Sequence, residues 1–388
     1  MNTKRFTLFA FLFGIAALIV GFSACDRVSQ IIQPPTPQMT EVGEDISIGV
    51  VLPLTGRFSY ASGSPLLQSF ELARSEINAA HPNGAKLKLI VEDGQGTTEG
   101  TVAAFNKLIH QDRVSVILGP TTSTHTKEVF PIAQENQVVA ISPTSAARGL
   151  SAIGDFVFRV ALTTDILIPR GIEVTQTHLG YQRVATLYDE TDLFSTDGDA
   201  AVREVLKARG IEVVATETFQ GGDTDFSEQL TRIQALDPDV IFVSSQPPEK
   251  PGILTQGHEL GISVPFIVRT LTGADVEAAG AAAEGAMTFI GWGTAVDTPG
   301  NQAFVENYTT QFGMEPNNFA ARAYAAFYIL AEAIERAHST DAAAIRDALA
   351  SIRDFDTILG KFSFDANGDA IYDPKILVVK DGELVLFE

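Results

Sequence analysis

Two hydroxyl-rich loops in the first half of the chain could bind an anionic small molecule. Gly119 to Ser123 ends one apolar run and opens a helical segment, and Ser142 to Ala146 follows the next apolar run. Backbone N–H groups at a helix start, with a hydroxyl beside them, can bind a carboxylate without lysine or arginine. Ser123, Thr144 and Ser145 are therefore candidate ligand-binding residues. The simpler interpretations are an ordinary N-cap serine and a turn near a proline.

The elements that position these loops alternate along the chain. Short apolar runs such as ISIGVVLP and VSVILG are separated by helical segments, a pattern typical of βαβ units and a parallel sheet. Because ligands of open α/β sheets bind beyond the carboxyl ends of the strands, the two loops should converge. The same rhythm restarts at RVATLYD (Arg183 to Asp189). Since 388 residues are many for one core, the sequence predicts two lobes.

The last hundred residues break this rhythm, with helical patterns over 302–352 and then short strands with turns at Asn367-Gly368 and Asp381-Gly382. We expect the helices to return to the first lobe and the final strands to pass to the second. The first lobe is therefore predicted over 46–162 plus about 296–360. The second is predicted over 163–295 plus about 361–388.

Motifs of the common enzyme classes are absent from the sequence. The six histidines lack metal-ligand spacing, and there is no G-x-S-x-G elbow, P-loop or G-x-G-x-x-G after the first strand. Asp365, Asn367 and Asp369, with Asp373 beyond, alternate like a calcium loop, but the glycine and the twelfth position do not fit. A hairpin turn is the favoured interpretation. We predict no catalytic residue, no metal and no cofactor.

The N-terminus has the layout of a secretory signal. Lys4 and Arg5 precede an apolar run to Phe22, and Ser23-Ala24 lead to Cys25, the chain's one cysteine. This resembles a bacterial lipobox, so 1–24 is predicted as a signal peptide and Cys25 as the lipidation site. Residues 25–45 then form a Pro-rich tether. An uncleaved N-terminal anchor is the alternative. The net charge of −21 argues against nucleic-acid binding.

Several stretches, in order and spacing, resemble the leucine/isoleucine/valine-binding family of periplasmic binding proteins. They are IGVVLPLTGRFSYASG, VSVILGPTTSTHT, VVAISPTSA, DPDVIFVSS and FSFDANGD. The resemblance implies an α/β fold (periplasmic binding protein type I) of two Rossmann-like lobes. Their central sheets are rich in parallel strands, and a three-strand hinge joins the lobes. The ligand would lie between them.

The resemblance also implies roles for individual residues. Ser123 matches the family serine that contacts the ligand carboxylate. Tyr60 and Phe194 fall where the family places aromatic walls that sandwich an apolar ligand. Gln246 lies in the family's other second-lobe loop. Each aromatic residue could instead be simply packed.

One position departs from the amino-acid binders. They carry a glutamate that pairs with the ligand ammonium, where this sequence has Thr270. An ammonium buried without a counter-charge is costly. The neighbouring Arg269 could instead clamp a second carboxylate or another anion, since its guanidinium is a fixed bidentate donor. The alternative is a surface arginine.

The expected function is a solute receptor with no enzymatic activity. A lipid-anchored monomer in the cell envelope, facing the periplasm or the outer side of the cytoplasmic membrane, would deliver a small ligand to an ABC permease. A branched-chain or other amino acid is the default ligand, with an organic acid or amide as the rival. A sensor of the same fold is the alternative role, and an enzyme of unknown reaction is a third.

Overall fold

A computed structural model describes Pro37, residues 45–82 and residues 84–387. The predicted signal peptide, Cys25 and nearly all of the tether lie outside the described residues. Among the residues that are described, no helix is long and apolar enough to cross a membrane.

Strands alternate with helices over most of residues 46–290, as the sequence predicts. The strands are β1 (Ile46–Leu52), β2 (Leu87–Asp93), β3 (Val116–Leu118), β4 (Val139–Ser142), β5 (Val157–Arg159), β6 (Arg183–Asp189), β7 (Glu212–Phe219), β8 (Val240–Ser244), β9 (Phe266–Val268), β10 (Met287–Ile290), β11 (Phe355–Thr357), β12 (Gly360–Phe364), β13 (Ala370–Ile371), β14 (Lys375–Lys380) and β15 (Glu383–Leu386).

The helices cover both faces of the sheets, and several begin at the caps that the sequence offers. Proline stands in the first turn of α1, and Thr122 and Asp192 accept hydrogen bonds at the N-termini of α3 and α5. The helices are α1 (Ser64–Ala80), α2 (Thr98–Lys107), α3 (Ser123–Glu135), α4 (Thr164–Leu179), α5 (Leu193–Ala208), α6 (Ser227–Gln234), α7 (Glu249–Glu259), α8 (Gly273–Ala279), α9 (Asn301–Phe312), α10 (Asn318–Ala337) and α11 (Ala342–Ala350).

Two larger sheets form the centres of two lobes. The first has the strand order β2-β1-β3-β4-β5, and every neighbouring pair is parallel. The second has the order β15-β14-β10-β9-β8-β6-β7, in which only β14 and β15 run antiparallel to their neighbours. Strand order reverses beside β1 in the first sheet and beside β6 in the second. Ligand crevices form outside the carboxyl ends of strands at such points.

The chain crosses between the lobes three times. It passes from β5 to α4, from β10 to α9, and finally into β14. Helix α10 packs on α1 in the first lobe. The last crossing lies between Ile371 and Lys375 rather than near residue 361. Phe364 contacts the Phe158 ring edge-on at 5.1 Å, which holds the small sheet β11-β12-β13 beside the first lobe.

Both predicted hairpin turns are present. Asp381 and Gly382 have φ of 54° and 80° between β14 and β15, the positive values that a two-residue type I′ turn requires. In the turn before β13, the Asp365 carboxylate accepts hydrogen bonds from the N–H groups of Asn367 and Asp369. Asp369 in turn pairs with the buried guanidinium of Arg159. These carboxylates are therefore engaged in structural contacts.

Candidate functional site

A cavity lies between the two lobes, beyond the carboxyl ends of the strands. Its empty space is about 320 Å³, a figure that includes the open mouth. Both lobes contribute to its lining, which consists of Thr121, Ser123, Thr144, Phe194, Gln246, Lys250, Thr270, Phe319 and Arg322. Five of the eight predicted ligand-binding residues line the cavity, namely Ser123, Thr144, Phe194, Gln246 and Thr270. Arg269 does not line it.

The first lobe presents hydroxyl groups at the start of α3. Thr122, not Ser123, is the N-cap, because its hydroxyl accepts from the His125 N–H at 3.2 Å. The Ser123 hydroxyl instead accepts from the N–H groups of Ala146 and Ala147, both at 3.1 Å. Its own hydrogen is thus left to donate toward the cavity. The two hydroxyl-rich loops are held together by these bonds.

The second loop contributes Thr144 directly and Ser145 indirectly. The Thr144 hydroxyl donates to the Thr121 carbonyl at 2.6 Å, which leaves its oxygen free to accept. Ser145 is buried but does not line the cavity, and its hydroxyl has no partner among the described residues. Ser142 Oγ accepts from the Ser145 N–H at 3.1 Å and so fixes the turn.

Arg269 lies behind the cavity wall rather than in it. Its guanidinium carbon stands 3.9 Å from the centroid of the Phe194 ring, and Nη1 donates to the Phe194 carbonyl at 2.6 Å. Nη2 donates to Thr164 Oγ1 at 3.2 Å. Gly198 makes room for this packing, since a Cβ there would meet Nη1 at 1.8 Å. Arg269 therefore supports Phe194 as an aromatic wall.

Lys250 supplies a buried cation that sequence reasoning missed. It lies in the first turn of α7, fully enclosed, and Nζ donates to the Thr270 carbonyl at 2.8 Å. The carboxylate of Asp275 is 3.9 Å from Nζ. Burial lowers the pKa of the Lys250 ammonium, and the nearby carboxylates of Asp275 and Glu249 partly oppose that effect.

Arg322 supplies a second cation, from α10 in the first lobe. It is 4% exposed, and its Nε has no hydrogen-bond partner among the described residues. Burial lowers the pKa of its guanidinium, an effect that the adjacent Tyr372 hydroxyl opposes. Phe319, one helical turn before it, adds an apolar surface to the same wall. In the sequence, the only signal for Arg322 is a lone charge in the apolar stretch FAARAYAAFYIL.

The remaining predicted residues are placed as follows. Gln246 lines the cavity, and its amide nitrogen lies 3.4 Å from the Asp192 carboxylate, which caps α5. Tyr60 is 74% exposed and does not line the cavity. Thr270 adopts a left-handed backbone with φ of 60°, which turns its carbonyl toward Lys250.

The lobes touch across the cleft, so the cavity is closed on several sides. Arg57, after β1, forms an ion pair with the buried Glu249 at the start of α7. Thr124 Oγ1 in the first lobe donates to Asp192 Oδ1 in the second at 3.0 Å. Arg148 reaches α5, where Nε donates to Asp197 at 2.7 Å. These polar contacts join the lobes in the arrangement that encloses the cavity.

Known proteins share both the sequence and the fold. A family model described as periplasmic binding protein matches residues 45–383. A Leu/Ile/Val-binding protein of Rhizobium johnstonii is 29% identical over 84% of this chain and 89% of its own length.

Two solved structures illustrate the range of ligands on this fold. The leucine-binding protein LivK of Thermotoga maritima superposes with a TM-score of 0.82 at 28% identity, covering 88% of this chain and 98% of its own. A solute-binding protein of R. palustris in complex with benzoate superposes with a TM-score of 0.80 at 20% identity, covering 88% of this chain and 95% of its own. This second likeness is one of fold alone.

Proposed function

The chain belongs to the periplasmic binding protein family of solute-binding proteins, and we propose that it captures a small carboxylate-bearing ligand between its two lobes. The family works outside the cytoplasm with ABC transporters and is not an enzyme family. The proposed ligand site is the interlobe cavity. Its lining residues Ser123 and Thr144 come from the first lobe, and Phe194, Gln246 and Lys250 come from the second.

The observation that carries this proposal is the set of donors around one enclosed cavity. The Ser123 hydroxyl has a hydrogen to donate, and it lies in the first turn of α3, where backbone N–H groups have no carbonyl partner within the helix. A carboxylate there would accept from these donors and gain from the helix dipole. Phe194 and Phe319 would cover its apolar part.

Branched-chain amino acids are the default ligand class, because relatives are described as Leu/Ile/Val-binding and leucine-binding proteins. An organic acid without an ammonium is the rival. Thr270 provides no carboxylate at the position where the resemblance leads one to expect the glutamate. Lys250 and Arg322 add positive charge to the same cavity.

We further propose that the receptor is lipid-anchored through Cys25 and delivers its ligand to an ABC permease. The sequence of the first 25 residues supports the anchor, and family membership supports the permease. Incorporation of labelled palmitate that is lost in Cys25→Ser would support lipidation. Equal labelling of both proteins would contradict it.

Thermal unfolding of the purified protein against amino acids and organic acids tests the ligand site. A ligand at a hundredfold over its dissociation constant adds about 2.7 kcal/mol to the free energy of unfolding, which raises the midpoint by several degrees. Ser123→Ala should abolish most of this shift. Thr126→Ala, which removes a hydroxyl bonded only to the backbone of the same helix, is the matched control. Full binding by Ser123→Ala would refute the assigned anchor.

A further inference from the structure

We propose that the ligand carries a second acidic group, held between Lys250 and Arg322, so that the receptor selects a dianion with an apolar body over a zwitterionic amino acid. This rests on the proposed function and specifies its ligand class. Lys250 comes from the second lobe and Arg322 from the first, so such a group would bridge the lobes. A dicarboxylic acid is the simplest ligand of this kind.

The first cation has unused bonding capacity. An ammonium has three donors, and Lys250 Nζ makes one hydrogen bond, to the Thr270 carbonyl, within the described residues. The Asp275 carboxylate lies 3.9 Å away, and its Oδ2 already accepts from the N–H and hydroxyl of Thr272 in a capping box. Asp275 therefore offsets only part of the buried charge.

The second cation is less well matched. Arg322 is nine-tenths or more buried, borders the cavity, and leaves Nε without a hydrogen-bond partner among the described residues. No salt bridge to Arg322 occurs in that part of the chain. A buried guanidinium without a counter-ion is costly, and an anionic ligand in the cavity would supply one.

In the described part of the chain, no carboxylate lines the cavity beside these two cations. The lining contains Lys250 and Arg322 as its charged residues, and none of its nine members is an Asp or Glu. The Asp192 carboxylate nearby accepts from the Ser195 N–H and hydroxyl and from Thr124. A ligand ammonium would thus face two like charges without a dedicated counter-ion. A second ligand carboxylate would face two opposite charges.

The two halves of the cavity fit the two ends of such a ligand. Hydroxyls of Ser123 and Thr121 lie on the α3 side, where one carboxylate would bind. Phe194 and Phe319 provide apolar surface for the body of the ligand. Arg269 lies behind Phe194 and adds positive charge to the second-lobe wall.

Isothermal titration of the full-length protein tests this assignment. The probes are succinate, glutarate and adipate, compared with leucine (a zwitterion) and 4-methylpentanoate (the same skeleton without the ammonium). We expect the best diacid to bind at least about tenfold more tightly than either comparison compound. Because removing one partner of a buried charged pair leaves the other charge uncompensated, Lys250→Met and Arg322→Met should each weaken binding of that diacid about a hundredfold.

The same variants should weaken 4-methylpentanoate at least about tenfold less than they weaken the diacid, since it lacks the second acid. Lys361→Met is the matched control, because this lysine is 65% exposed and pairs with Asp356 away from the cavity. Circular dichroism and the unfolding midpoint without ligand confirm that each variant is folded. If a methionine variant does not fold, the corresponding glutamine variant, Lys250→Gln or Arg322→Gln, is measured instead.

The outcomes separate this inference from the proposed function. If leucine binds more tightly than every diacid and Lys250→Met does not change its affinity, the proposal of a dianionic ligand is overturned. The proposed function as a solute receptor would then still stand. Diacid binding that survives both Lys250→Met and Arg322→Met also overturns it. If none of the five compounds binds, the dianion is overturned together with the carboxylate site on which it rests.

Discussion

The ion pair between Arg57 and Glu249 should act as a latch on the closed lobes. The two residues are 192 positions apart and belong to different lobes. The Glu249 side chain is 1% exposed and also accepts from the Gly222 N–H at 2.8 Å, whereas the Arg57 side chain is 33% exposed. Opening of the lobes would separate the pair and hydrate both charges. The pair therefore contributes to closure rather than to the stability of either lobe alone.

The size of the effect follows from the burial of the two partners. Removing one partner of a fully buried pair costs about 3–5 kcal/mol, because the other charge is left uncompensated. Arg57 is a third exposed, and Glu249 keeps its hydrogen bond from the Gly222 N–H. We therefore expect Arg57→Met to destabilise the closed form by a smaller amount, about 2 kcal/mol. If the ligand binds only the closed form, its dissociation constant should rise about 30-fold.

The assay is isothermal titration with the acid that stabilises the protein most in the thermal panel. Arg170→Met is the matched control, because Arg170 pairs with Glu173 on the same helix and leaves the cleft unchanged. Arg57→Met combined with Glu249→Gln should bind more tightly than Arg57→Met alone, since the buried charge is then removed. An affinity within about threefold of wild type for Arg57→Met would refute the latch.

Three further predictions follow from other buried groups. Gly198→Ala should destabilise the fold by about 1–3 kcal/mol in chemical unfolding, because its Cβ would overlap the Arg269 guanidinium; an unchanged midpoint would contradict that packing. Asp369→Asn should lower the free energy of unfolding by about 3 kcal/mol, because it leaves the buried Arg159 guanidinium without its counter-ion. An equal loss in Asp365→Asn would show instead that the substitution acts through the turn.

The affinity for the ligand should depend on pH through Lys250. Burial lowers the Lys250 pKa in the free protein, with Asp275, Glu249 and Arg269 as its charged neighbours, and a bound anion would raise it again. Binding then takes up a proton, so affinity is full below the lowered pKa and falls as pH rises through it. Titration in buffers of different ionisation enthalpy measures this uptake, which should vanish in Lys250→Met.

The sequence was sufficient for the fold because the periodic signals are strong there. Apolar runs such as ISIGVVLP and DVIFVSS become β1 and β8, and the Asp381-Gly382 turn forms between β14 and β15 as predicted. The last lobe crossing was harder to place. What decides it is the contact of Phe364 with Phe158 and the pairing of Arg159 with Asp369, both between residues about two hundred positions apart.

The site was only partly predictable, for a physical reason. Ser123 and Thr144 follow strands, so parallel-sheet geometry brings them together. Arg269 was expected to reach a ligand anion, but in the structure it stacks behind Phe194. The missing side chain at Gly198 leaves the space that its guanidinium occupies. Lys250 and Arg322 carry no local motif, and only the closed arrangement of two lobes brings them to one cavity.

A crystal structure of the protein with its most stabilising acid bound would show directly where the ligand lies. We expect the ligand between the lobes, with a carboxylate within hydrogen-bond distance of Ser123 and with Lys250 contacting the same molecule. Arg57 and Glu249 should remain paired in that structure. A ligand bound elsewhere, or bound between the lobes without contact to Ser123, would refute the proposed carboxylate site.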